Sequence, residues 1–106
     1  MNDNRTVHRV STKRPVSVYI DGNKLEGKMI DISEIGTGII MNSVCLENSN
    51  ITLSFNLNSS KQSICVKGKI IHSYKVKDKC LVGIVFLEAS NEKTQNEILN
   101  FVQHSK

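Results

Sequence analysis

At 106 residues, with 39% apolar and 23% charged side chains, the chain is long enough for one hydrophobic core, and its composition excludes a disordered tract or a fibrous repeat. No apolar run approaches the roughly 20 residues that span a bilayer, and the start Met1-Asn2-Asp3-Asn4-Arg5 lacks the apolar stretch of a signal peptide, so a cytoplasmic protein without membrane insertion is expected. The formal net charge of +4 favours anionic partners without naming one.

Residues 1–13 have little apolar periodicity and read as a flexible or loosely extended arm ahead of a single domain over 14–106. All three arginines, Arg5, Arg9 and Arg14, lie in the first fourteen residues. From Arg14 the chain alternates, Pro15-Val16-Ser17-Val18-Tyr19-Ile20, and Asp21-Gly22 follows as a hairpin signal. A second strand is predicted over 25–33, with Ile30 and Ile32 toward the core and Met29, Asp31 and Ser33 on the other face. Glu34-Ile35-Gly36 supplies a turn, and 37–41 a third strand.

Ile51, Leu53, Phe55 and Leu57 alternate over 51–57, the cleanest period-two run, and predict a fourth strand. A fifth covers 63–74, where Ile64, Val66, Gly68, Ile70 and His72 share one face and Gly68 is the candidate bulge. A sixth covers 80–87. Ser90 then caps a predicted helix to about residue 103, with Glu92 near its positive end and Ile98, Leu99, Phe101 and Val102 on its apolar side. Six short strands and one helix predict an all-β dominated fold, an antiparallel barrel with the helix over an open end or an edge.

Cys45, Cys65 and Cys80 lack the close pairing of zinc or redox motifs and read as reduced core or sheet residues. His8, His72 and His104 are too scattered for a metal cluster and read as surface or half-buried. The sequence carries no phosphate loop of the Walker type, no nucleophile elbow and no recognisable nucleophile–base pair. Neither catalysis nor a cofactor is expected.

Two short motifs remain. Arg5-Thr6-Val7-His8-Arg9 is R-x-x-x-R, and Asp31-Ile32-Ser33-Glu34-Ile35-Gly36 is D-x-S-x-x-G. Each occurs by chance in unrelated chains, but their order and spacing together resemble the PilZ family. Arg14-Pro15-Val16-Ser17-Val18 resembles that family's passage from arginine loop to first strand, and Val82-Gly83-Ile84-Val85-Phe86 its late G-x-x-F strand. The resemblance covers nearly the whole chain. It implies a six-stranded barrel that binds cyclic di-GMP through Arg5, Arg9, Asp31, Ser33 and Gly36, and that signals through an unidentified downstream protein.

These residue types suit that ligand. An arginine fork can hold a phosphate or the O6/N7 edge of guanine in bidentate fashion and can stack on a base, roles in which lysine is a poor replacement. The Asp31 carboxylate can accept from guanine N1 and N2, the Ser33 hydroxyl can add a polar contact, and the resemblance assigns Gly36 to the site's rim. Two other readings compete. One is a PilZ-like adaptor that acts by protein contacts without ligand. The other, a small basic barrel for single-stranded nucleic acid, calls for an aromatic stacking platform. The three phenylalanines fall on predicted apolar faces, so no nucleic acid polymer is expected as a partner.

Overall fold

The computed structural model describes residues 9–42, 47–57, 63–87 and 92–104. Asp21 and Gly22 both have positive φ, 51° and 80°, as a tight two-residue hairpin turn requires. They join β1 (Val10–Ile20) to β2 (Asn23–Ile32). The chain continues through β3 (Gly36–Met41), β4 (Asn50–Phe55), β5 (Ile64–Val76) and β6 (Lys79–Phe86), and ends in α1 (Glu92–His104). All neighbouring strands are antiparallel, and the order β1-β2-β3-β6-β5-β4 closes into a barrel. The predicted architecture is the observed one.

One face of each strand fills the barrel. Val16, Val18, Met29, Ile32, Ile39, Leu53, Val66, Ile70 and Val82 belong to a single buried cluster. Ile51, Leu53, Phe55 and Leu57 are all buried, as their alternation predicts. The helix adds Ile98 and Val102 to the same cluster, with Thr94 buried one turn earlier, a stripe at spacing four. Leu99 is half-buried, and Phe101 packs against the cluster from its margin. The predicted cap Ser90 lies outside the described residues. Among the described residues no helix is long and apolar enough to cross a membrane.

Three expectations are corrected. Strand β1 begins at Val10, so residues 10–13 are not part of an arm; Val10 pairs with Ile32 and Ser11 with Asp31. Ile30 does not face the core. Met29 and Ile32 are both fully buried, three residues apart, because β2 gains one residue against β3 between the pairs Met29–Ile39 and Asp31–Gly38. That bulge reverses the in–out alternation. The bulge of β5 is likewise not at Gly68, whose pairing with Ile51 and Phe86 is regular. It falls between Ile70–Ile84 and His72–Gly83, so Ile70 is buried while Ile71 is 51% exposed. Gly68 instead makes room, since a Cβ there would lie 2.7 Å from Cγ2 of Ile84.

Candidate functional site on the outer wall of the barrel

The β2 bulge aims Asp31 outward. Without the extra residue, strict alternation from buried Met29 would turn Asp31 inward, where an ionised carboxylate is expensive to bury. Thr37, buried on β3, donates its hydroxyl to the Asp31 carbonyl at 2.6 Å and so ties the bulged backbone to the next strand. The carboxylate is held from two sides. Its Oδ1 accepts from the backbone N–H of Gly38 at 3.1 Å and from the Arg9 guanidinium at 2.8 Å. The last arginine of the first motif thus meets the first residue of the second.

From Asp31 a single cross-strand row runs over the outer wall. Ser11 pairs with Asp31, Asp31 with Gly38, Gly38 with Gly83, and Gly83 with His72. Two adjacent glycines put no side chain in the middle of the row and make the floor of a trough of about 300 Å³, with Arg9 and Asp31 at one end and His72, whose ring lies over Gly83, and Tyr74 at the other. A Cβ on Gly38 would stand 3.2 Å from Asp31 Oδ1, and one on Gly83 would collide with the His72 ring. Ile30, displaced from its expected place in the core, lines the trough instead.

The expected site residues separate into three groups. Arg9 and Asp31 are in contact. Arg5 lies outside the described residues. Ser33 and Gly36 belong to the barrel's own packing: Ser33 is fully buried, and its hydroxyl accepts from the N–H groups of Ile35 and Gly36, both at 3.2 Å, while donating to the Gly36 carbonyl at 3.3 Å. The expectation that Asp31 and Ser33 share one face is therefore overturned, because the chain leaves the strand after Ile32 and folds Ser33 into the turn. Gly36 runs so close to β6 that a Cβ would lie 2.3 Å from the Ile84 carbonyl oxygen. Arg14 also parts from Arg9. Its guanidinium lies 5.1 Å from the centre of the Phe101 ring and donates to the Asn56 carbonyl at 3.4 Å, which links β1 to the helix.

Thr37, Gly38, Gly83 and His72 escaped the sequence reading as a set, because only the register of β3, β6 and β5 puts them together. A larger hollow, about 640 Å³, lies between α1 and the barrel, lined by Ile35, Val66, Phe86, Ile98 and Leu99 among others. Among the described residues that line it the one charged group is Glu34, which repels an anion. The described residues contain no cluster of histidine, cysteine or carboxylate side chains able to hold a metal ion, and Cys65 and Cys80 are free thiols.

The PilZ domain family's sequence model matches residues 3–104. Among solved structures, the chain is similar to the inhibitor of motility MotI/DgrA of Bacillus subtilis, with a TM-score of 0.81 at 11% identity over 95% of this chain and 50% of that one. It is similar to the PilZ domain of YcgR from Escherichia coli, solved with c-di-GMP, with a TM-score of 0.76 at 12% identity over 95% and 90%. It also resembles PlzA of Borreliella burgdorferi, solved in complex with c-di-GMP, with a TM-score of 0.59 at 12% identity over 90% and 50%. The chain therefore spans half the length of the Bacillus and Borreliella proteins, and at these identities the likeness is one of fold. A search of curated proteins finds no match. With nearly its whole length matched by the family model and a closed barrel carrying both signature motifs, the chain belongs to the PilZ domain family.

Proposed function

We propose that this chain is a cytoplasmic receptor for cyclic di-GMP that binds its ligand in the trough on the outer wall of the barrel and passes the signal to a second protein. The observation that carries the reading is the 2.8 Å ion pair between Arg9 and Asp31, which joins the two motifs at one end of a trough with a glycine floor. The pair is exposed, Arg9 by 55% and Asp31 by 30% of its side chain. Such pairs contribute only about 0.2–1 kcal/mol, so Arg9 can be released at little cost. Each charge-assisted hydrogen bond to a phosphate or a guanine edge contributes about 1.5–3 kcal/mol. In this reading Asp31 accepts from guanine N1 and N2, Arg9 turns its fork to the ligand, and Arg5 reaches it from the segment just before β1. Family membership and two similar structures solved with c-di-GMP support the choice of ligand.

A second reading, the adaptor that needs no ligand, is favoured by one observation. Ser33 and Gly36 are used by the turn and by the contact with β6, so two of the three defined residues of the second motif would be kept for the fold alone. Calorimetric titration of cyclic di-GMP into the protein and into Arg9→Ala, with GTP and cyclic GMP as controls, separates the two. The receptor reading expects saturable binding at micromolar Kd or tighter, about −8 kcal/mol or beyond, lost in the variant and absent with the controls. A folded protein with neither heat of binding nor thermal shift would leave the adaptor as the account.

A further inference from the structure

The Arg9–Asp31 end accounts for one guanine of a ligand that has two. At its other end the trough carries a feature that the motifs do not include. Strands β2 and β5 each gain one residue, and both bulges fall on the same cross-strand row, on opposite sides of the Gly38–Gly83 floor. The first turns Asp31 outward and the second turns His72 outward. From Asp31 to His72 is three inter-strand spacings, about 14 Å, a span suited to a two-base ligand rather than a single purine.

His72 lies across the floor. The edge of its ring covers Gly83, with Cε1 only 2.2 Å from where a Cβ would stand. The ring pairs with Tyr74, centroids 5.1 Å apart and planes tilted by 36°. Its Nδ1 is buried and has no hydrogen-bond partner among the described residues. Tyr74 is 58% exposed and Ile71 51%, two large apolar side chains open to solvent at the edge of the same trough. Two adjoining rings beside exposed apolar groups, separated from Arg9 and Asp31 by the side-chain-free Gly38, have the components of a base-stacking platform.

We infer that His72 and Tyr74 form a stacking platform for the second purine of a cyclic dinucleotide whose first guanine is read by Arg9 and Asp31. The inference rests on the receptor reading above. Stacking accepts any base, because every base has a π face. The two ends of the trough therefore differ in selectivity, one requiring guanine and the other accepting any purine.

The test is titration of cyclic di-GMP, cyclic GMP–AMP and cyclic di-AMP into the intact protein and into His72→Ala, His72→Phe and Tyr74→Ala, with a thermal melt of each variant. The platform predicts that the protein binds the first two ligands within about tenfold of each other and the third far more weakly. His72→Ala and Tyr74→Ala each weaken cyclic di-GMP by about 5- to 150-fold, the range for loss of a base–aromatic stack, and His72→Phe keeps most of the affinity. Tyr74 is exposed enough that its truncation leaves the melt unchanged, which isolates the ligand contact from folding. Wild-type binding of cyclic di-GMP with unchanged affinity in Tyr74→Ala and His72→Ala overturns the platform and leaves the receptor reading intact. Rejection of cyclic GMP–AMP by a protein that binds cyclic di-GMP overturns it too. Failure of the wild type to bind any of the three overturns the receptor reading itself.

Discussion

Arg9 precedes β1 and Ser33 follows β2 at the ends joined by the Val10–Ile32 pair, yet their surroundings predict opposite consequences of mutation. The Ser33 hydroxyl, itself fully buried, is the hydrogen-bond partner of two backbone N–H groups in the turn to β3. Ser33→Ala strands those donors away from water, and an unsatisfied buried donor costs about 1–3 kcal/mol. Chemical denaturation should show that loss of stability, and an unchanged midpoint would mean that the turn finds other partners. Among the described residues Arg9 makes an exposed ion pair alone, so its truncation in the titration variant leaves the fold intact. The sequence alone could not separate the two roles. Asp31 and Ser33 are two residues apart, and period-two reasoning puts them on one face. What breaks the rule is the end of the strand at Ile32, where Ser33 becomes the capping residue of a turn, a use of serine as ordinary as ligand binding.

Among the elements, the unbulged β4 was readable and the bulged β2 and β5 were not. In β4 every residue keeps the alternation, and all four predicted core residues are buried. In β2 and β5 one extra residue reverses it midway, so Ile30 and His72 were assigned to the wrong face. No local residue signal marks either bulge. Gly68, the one glycine inside the predicted fifth strand, sits in regular pairing. The helix was legible from its apolar spacing, and its attachment yields a prediction of its own. Ile98 is only 2% exposed and belongs to the barrel's core cluster, while the Arg14–Phe101 contact adds a second tie to β1. Ile98→Ala should lower unfolding stability by about 2–5 kcal/mol, the usual cost of emptying a buried aliphatic site. A denaturation midpoint equal to that of the wild type would mean that the helix is not part of the cooperative core.

For the whole molecule, closure is what leaves an outer wall free to bind. The seam is the short pairing of Ser17, Val18 and Tyr19 on β1 with Ser54, Leu53 and Thr52 on β4, and it removes the sheet edges that would otherwise invite pairing between chains. Strand β1 runs past this seam toward its own start, where Val10 and Ser11 pair with β2 alone. Arg9 is thereby carried to the trough by the strand end that the seam leaves over. The barrel follows from strand count and turn residues, both present in the sequence. The trough depends on register across five strands, which no single segment encodes. The most direct test of its role is amide NMR of the labelled protein during titration with cyclic di-GMP. The account predicts the largest shift changes at Ser11, Asp31, Gly38, Gly83 and His72, with Thr52 and Ser54 at the seam unmoved. Changes confined to the seam, or to the hollow beneath α1, would contradict it.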